Sequence, residues 1–266
     1  MRIVSFNING LRAHFHQLEE IITRLQPNII ALQETKIQDD IFPILKIRRY
    51  GYQTYQYGQK NHYGVALLSQ QKPISIQQGI IHSHNQKRTI KANFSTPSGL
   101  LTVINGYFPQ GENRNNLIKF TEKQQFYKNM MEYIKYHYNK NSLLLIVGDM
   151  NISPCNLDIG IGKKNYNKWL ITGKCSFLPE EREWINNLLS FGLTDVYRYM
   201  YPQINDRYSW FDYRSRGFNK NKGLRIDLLL ASHPLISFTK DTGINYEIRA
   251  MEKSSDHAPI WADFFL

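Results

Sequence analysis

Apolar runs of strand length recur along the chain: Arg2–Asn7, Ile29–Gln33, Val65–Ser69, Leu101–Tyr107, Leu143–Gly148, Ile226–Ala231 and Ile260–Phe265. Several are almost unbroken, which fits strands covered on both faces; a strand with one wet face alternates instead. Weaker alternation in Tyr52–Tyr57 and Thr89–Phe94 predicts hairpin strands. Helical spacing is scarcer. His16–Leu25 places Leu18, Ile21, Ile22 and Leu25 on one stripe before Pro27 stops it. Thr121–Tyr138 carries Phe126, Met130, Tyr133, Ile134 and His137 at helical spacing. Pro179 opens a third helix, with Glu180 and Glu181 at the positive end of its dipole and Trp184, Leu188 and Leu189 facing inward. Many strands with few long helices predict an α/β protein of two packed sheets covered by helices, since a βαβ repeat needs a helix after nearly every strand. No Pro/Ser/Gly linker, block of like charge or internal repeat interrupts residues 1–266, so one domain is expected.

The acids and amides fall at strand ends. Ile3-Val4-Ser5-Phe6 ends at Asn7, and Ile29-Ile30-Ala31-Leu32-Gln33 at Glu34. Leu143-Leu144-Leu145-Ile146-Val147-Gly148 ends at Asp149, with Asn151 beyond, and Val103-Ile104-Asn105-Gly106 leads to Tyr107. Asp227 precedes Leu228-Leu229-Leu230, so an antiparallel strand brings it to the same edge. Ser255-Asp256-His257 stands before the last strand. The expectation is one rim gathering Asn7, Glu34, Tyr107, Asp149, Asn151, Asp227, Asp256 and His257.

That set suits phosphodiester hydrolysis, which needs a cation on the non-bridging oxygens, a positioned water and donors for the added charge. Mg²⁺ prefers oxygen ligands, and Glu34, with Asn7 beside it, is the first candidate. Asp256 or another carboxylate is expected to orient His257 and favour its cationic form. Asp149 is a candidate to take a proton from water, Asn151 to donate to the developing oxyanion, and Tyr107 to offer its phenol to a phosphate oxygen.

Charge narrows the partner. With 33 Lys+Arg against 22 Asp+Glu the formal net charge is +11, and the pI is near 9.5. Such a surplus draws in polyanions, nucleic acid first among them. A mean hydropathy of -0.47 and the lack of any apolar run near membrane-spanning length argue against a membrane protein. Cys155 and Cys175 are too few for a disulfide scaffold or a thiolate metal site. The start of the chain turns polar too early for a signal-peptide core, so a reducing cytoplasm is the expected location, and nothing suggests more than a monomer.

Six segments then stand in a telling order: Asn7-Ile8-Asn9-Gly10-Leu11-Arg12, Leu32-Gln33-Glu34-Thr35-Lys36, Asn105-Gly106-Tyr107-Phe108-Pro109, Gly148-Asp149-Met150-Asn151, Leu224-Arg225-Ile226-Asp227 and Ser255-Asp256-His257-Ala258-Pro259. Together they resemble the exonuclease III family of abasic-site endonucleases. The resemblance spans the chain, taking in Gly58–Val65, Gly173–Pro179 and Ser209–Gly217. It implies a four-layered α/β sandwich of the DNase I-like kind, two mixed β-sheets flanked by helices. It implies Mg²⁺, with Mn²⁺ as a substitute, bound at Glu34 within a set of Asn7, Glu34, Asp149, Asn151, Asp256 and His257. Tyr107, Asn151 and His257 would contact phosphate, with Asp227 and Asp256 in support. Asp149, His257 and a metal-bound hydroxide stay open as the base. The implied reactions are cleavage 5′ to abasic sites, 3′→5′ exonuclease action on duplex DNA, removal of 3′-phosphate and other 3′ blocking groups, and degradation of RNA in hybrids.

On the substrate side, a baseless sugar fits a snug apolar pocket that excludes an intact nucleotide. Trp210 and Phe211, with Leu224 and Ile226 flanking Arg225, are the expected walls. Lys87, Arg88, Arg114, Lys119, Arg214, Arg216, Lys220, Lys222 and Arg225 are the expected phosphate contacts. Rival readings are an inositol-phosphate or phospholipid phosphodiesterase on the same scaffold, and a non-catalytic DNA binder.

Overall fold

A strand that is apolar at both odd and even positions must bury two faces. The computed structural model, which describes residues 1–81 and 85–266, shows how that demand is met. Its strands are β1 (Arg2–Asn7), β2 (Ile29–Gln33), β3 (Gln53–Tyr57), β4 (Val65–Ser69), β5 (Ser75–Gln78), β6 (Thr89–Thr96), β7 (Gly99–Tyr107), β8 (Leu143–Asp149), β9 (Leu193–Asp195), β10 (Asp227–Ser232), β11 (Thr239–Ile244) and β12 (Ile260–Phe264). They form two six-stranded sheets, ordered β11-β12-β1-β2-β4-β3 and β5-β6-β7-β8-β10-β9.

Ile3, Ile29, Ala31, Val65 and Leu67 of the first sheet meet Ile90, Phe94, Val103, Leu145, Val147 and Leu229 of the second in a shared core. Their strand neighbours face the other way. Val4, Phe6, Ile30 and Leu32 pack on Leu18, Ile21 and Ile22, which belong to helix Phe15–Glu20 and its continuation as a π turn, Ile21–Leu25. Across the molecule, Ile104, Leu144, Ile146 and Leu228 pack on Phe126, Met130 and Ile134 of helix Leu117–His137, and on Ile185 and Leu188 of helix Pro179–Ser190. Helix, sheet, sheet, helix is the four-layered α/β sandwich. Each such side chain contributes about 1.5–3 kcal/mol by leaving water.

Some details differ from the sequence pattern. The long helix starts at Leu117, where the Asn116 side chain accepts a hydrogen bond from the Lys119 amide. His137, expected on its apolar stripe, is exposed, and Trp184 is only half-buried. Strands β5, β9 and β11, and helix Lys163–Thr172, were not signalled.

Strand direction sets the rim. β1 and β2 run parallel with Asn7 beside Gln33, and β7 and β8 run parallel with Tyr107 beside Asp149. β10 is antiparallel to β8, which places Asp227 opposite Asp149. Just below the rim an amide network joins the sheets. The Gln33 amide donates to Asn105 Oδ1 (2.8 Å) and Ser5 Oγ (3.0 Å), and Asn105 donates to the carbonyls of Leu32 and Ala66 (both 2.9 Å). All of it is buried, so slippage between the sheets leaves these groups unpaired.

Candidate active site

Each acid reaches the rim because its strand ends there. Glu34 follows β2 with φ 51°, and Asn151 follows the β8 turn with φ 52°, two left-handed backbones that lift these side chains off the sheet direction. Asn7 joins the two sheets, its amide nitrogen donating to Glu34 Oε1 (3.0 Å) and Asp149 Oδ2 (2.9 Å). Asp149 Oδ2 lies 3.8 Å from His257 Nε2, and His257 Nδ1 is 2.8 Å from Asp227 Oδ2. One chain of contacts, Glu34–Asn7–Asp149–His257–Asp227, therefore crosses the rim.

The orienting acid of His257 is Asp227, not Asp256. The Asp256 carboxylate faces elsewhere, accepting from Asn9 Nδ2 (2.8 Å) and Trp210 Nε1 (2.9 Å). Adjacent residues on an extended segment point apart, so Asp256 cannot follow the imidazole. Asn151 donates from its backbone to Asp149 Oδ1 (2.9 Å) and from one amide N–H to the Phe108 carbonyl (2.9 Å), which leaves its second N–H for a ligand.

Burial alone would raise the Glu34 carboxyl, but Lys36 at 2.8 Å and the Asn7 amide hold it below the usual carboxylate range. Burial and then the Asp227 charge push Asp149 up to about 7, against the pull of His257. Burial opposes the His257 cation, yet Asp227 and Asp149 outweigh it and raise the imidazole to about 10. Burial and the Glu34 charge keep the Tyr107 phenol protonated well above its ordinary range. Asp149, Asp227 and His257 present ligand atoms within 4.8 Å of one another. Asp227 Oδ1 is buried without a protein partner among the described residues. An ionised Glu34, a crowded pair of acids and an orphaned carboxylate oxygen form a donor set that fits a hard divalent cation.

The expected DNA contacts divide. Trp210 is half-buried at the rim, and Arg214 and Arg216 are exposed and outside any ion pair among the described residues. Arg114 and Lys119 are exposed but paired with Glu180 and Glu112. Arg88 is buried, its guanidinium over the rings of Tyr63 (4.3 Å) and Tyr107 (4.7 Å). Phe211, Leu224 and Ile226 are not open walls: their side chains are buried in the interior. Arg225 is not a phosphate contact in this structure. It is 1% exposed, donating through Nε to Asp158 Oδ1 (2.7 Å) and through both terminal nitrogens to Asp195 (3.1 and 2.5 Å). A forked guanidinium held from two sides by buried carboxylates is fixed in the interior and does not reach solvent.

Sequence reasoning passed over other supporting groups. Lys36 and Asn9 lie inside two of the quoted segments. Ser209 Oγ accepts from the amides of Ile226 and Asp227 (both 3.0 Å), fixing the start of β10. Lys123, on the apolar stripe of the long helix, is wholly buried with Glu181, and its ammonium donates to Glu181 Oε1 (2.5 Å) and to the carbonyls of Asn151 (2.9 Å) and Gln110 (3.2 Å). Glu181 in turn accepts from the amides of Ser176 (2.7 Å) and Leu178 (2.9 Å). A lysine three residues before Phe126 on a buried stripe was the available signal. Lys123→Met should cost about 3–5 kcal/mol because it strands a buried carboxylate. The double change with Glu181→Leu should recover much of that loss in denaturant titrations, and a single-variant cost below about 1 kcal/mol would contradict the pairing.

A four-layered α/β sandwich with acids, an oriented histidine and a cation-fitting donor set at one sheet rim defines a phosphodiester hydrolase. The model of the Endonuclease/Exonuclease/phosphatase family matches residues 4–257, and the chain belongs to that family. It is 54% identical over 266 residues to exodeoxyribonuclease III of Haemophilus influenzae, covering 99% of this chain and 100% of the relative. Among solved structures, a 3′ phosphatase from Neisseria bound to product DNA hairpin superposes with a TM-score of 0.90 at 33% identity, over 100% of both chains. An AP endonuclease from Archaeoglobus fulgidus gives a TM-score of 0.91 at 29% identity, again over 100% of both. The chain is thus a homologue of exodeoxyribonuclease III and a hydrolytic nuclease.

Proposed function

We propose that this nuclease is a Mg²⁺-dependent DNA-repair enzyme that incises duplex DNA 5′ to abasic sites, degrades it 3′→5′, and removes 3′-phosphate and other 3′ blocking groups. RNA in hybrids is a further substrate in this reading, Mn²⁺ a substitute metal, and the cytoplasm its location. The observation that carries the proposal is the Glu34–Asn7–Asp149–His257–Asp227 chain, which joins acids of both sheets at one rim. Residues 1–266 act as one domain in this reading, supported by β1 pairing with β12 across the chain's two ends.

Glu34, with Asn7 and Asp149 adjacent and Asn151 nearby, would hold the metal, whereas the Asp256 carboxylate is engaged by Asn9 and Trp210. When bound, it supplies positive charge to the phosphate oxygens and the leaving alkoxide. The chain's own groups do the rest. Asp149, poised near neutrality, accepts the proton of the attacking water. His257, held cationic by Asp227, neutralises a non-bridging oxygen; a protonated imidazole serves that role rather than ligation. Asn151 donates its free N–H to the oxyanion, and the protonated Tyr107 phenol donates to a second oxygen. Trp210, Arg214 and Arg216 line the approach of the DNA, where contacts to phosphate position it without reading sequence.

Turnover of a duplex bearing one abasic analogue, compared with turnover of inositol phosphates, tests the substrate class. The expected result is cleavage of the duplex, leaving a 3′-hydroxyl and a 5′-deoxyribose phosphate, with negligible release of phosphate from inositol. Faster hydrolysis of the inositol phosphates would overturn it.

A further inference from the structure

Next to Asp256, whose carbonyl accepts from Arg249, lies a cavity of about 360 Å³ bordered by Tyr213, Arg216, Phe218, Arg249, Lys253 and Asp212. Three cations face one carboxylate there. None of the three forms an ion pair among the described residues, whereas Arg114, Arg198 and Arg225 elsewhere in the molecule are matched to acids. Asp212, whose Oδ1 accepts from the Arg214 amide (3.1 Å), supplies one negative charge against three positive ones and forms no ion pair with them among the described residues.

Arg249 is the unusual member. It is buried, and a buried guanidinium ordinarily sits on a carboxylate. Its partners are neutral instead: Ser254 Oγ (2.8 Å) through Nη1 and the Asp256 carbonyl (3.3 Å) through Nε. The faces of Phe218 (4.7 Å), Phe211 (5.6 Å) and Tyr213 (5.7 Å) surround it. Among the described residues Nη2 has no hydrogen-bond partner. Aromatic faces and neutral acceptors leave its charge only partly offset, and the cavity is where an anion would complete the set. Arg216 and Lys253 also hold left-handed backbones, φ 51° and 48°, a conformation that costs energy for side chains of this kind.

We propose that Arg249, Arg216 and Lys253 form a phosphate-binding pocket outside the catalytic centre, and that its occupant is a backbone phosphodiester of the bound DNA. The assignment of the DNA source rests on the nuclease reading above. Arg249 donates to the carbonyl of Asp256, whose carboxylate holds Trp210 and Asn9 at the rim. The pocket is thus tied to the rim through the backbone of the residue preceding His257. Guanidinium forks fit phosphate oxygens, and Lys253 adds a point charge.

The test uses binding without catalysis. In excess chelator, fluorescence anisotropy follows an abasic duplex in which single phosphates around the lesion are replaced by neutral methylphosphonates. In the wild-type protein one position should weaken binding about tenfold, and that penalty should vanish in the Arg216→Gln/Lys253→Gln double variant. The variant's log–log salt slope should be shallower by about 0.9 for the phosphate released. Both residues are exposed, and each single variant should show part of the effect. A parallel melt with inorganic phosphate at fixed ionic strength separates the sources. Phosphate protection lost in the variant without methylphosphonate coupling would give the pocket to free phosphate and overturn the DNA assignment. Additive penalties at every position, with no change in phosphate protection, would overturn the pocket altogether. Cleavage of the unmodified duplex by the wild-type protein with Mg²⁺ is measured alongside, and its failure would count against the nuclease reading alone.

Discussion

His257→Asn and Asp149→Asn are each expected to lower kcat on an abasic duplex by about 10²–10⁴-fold, while DNA affinity stays within a few-fold of wild type. Both side chains are buried and touch each other and their acids, so neither supplies surface charge for docking. Their loss removes the cation facing the phosphate or the acceptor for the water's proton, both felt mainly in the transition state. The pH profile of kcat/KM should carry the same signature. Activity rises as Asp149 deprotonates and falls as His257 loses its proton, groups that without metal stand near 7 and 10. A divalent cation favours the carboxylate, and so moves the acidic limb to lower pH when it binds. Asp227→Asn should shift the alkaline limb down, because it removes the charge that outweighs burial at His257. Loss of DNA affinity in place of turnover would recast these groups as contacts.

The second large effect concerns the metal. Excess chelator should abolish cleavage, and added Mg²⁺ should restore it. Glu34→Gln removes the carboxylate that Lys36 and Asn7 keep ionised, and should raise the Mg²⁺ needed for half-maximal activity at least as far as Asn7→Ala. Asn7 touches both Glu34 and Asp149, and loss of such an orienting partner typically costs about 10–100-fold in metal affinity. Titrations of activity against Mg²⁺ report both. Full activity in chelator would remove the cation from the account.

How far the sequence could be read depended on burial. The central strands announced themselves because both faces are covered. The unsignalled strands β5, β9 and β11 are all edges of their sheets. Ser75–Gln78 is largely exposed, and Leu193–Asp195 is only three residues long. Thr239–Ile244 carries a register shift between Thr239 and Asp241. Such strands pack too little to leave an apolar pattern. Helix Lys163–Thr172 buries none of its residues fully, and its inward stripe is only Tyr166, Trp169 and Leu170, half-buried against Phe177 and Leu224, too short to stand out among polar neighbours.

The rim acids were legible because a charged side chain directly after a buried run marks the end of a strand. Which acid meets which base was not. Asp227 and His257 are thirty residues apart and meet only through the antiparallel start of β10. Nearness in sequence favoured Asp256, and the fold turns it toward Trp210. The same limit explains the aromatic walls. Phe211 and Leu224 are as apolar as a pocket lining, and nothing local tells a core face from a ligand face. Arg225 looks like a phosphate contact until Asp158 and Asp195 are placed beside it.

One hollow joining the two sheets is expected to hold a divalent ion against the DNA backbone. Anomalous diffraction from crystals of the protein with an abasic duplex and Mn²⁺ reads this directly. The expected result is a metal peak about 2.1 Å from a Glu34 oxygen, with a phosphate oxygen in the same shell and His257 facing that phosphate. A peak remote from Glu34, with its carboxylate still bound only to Lys36 and Asn7, would contradict it.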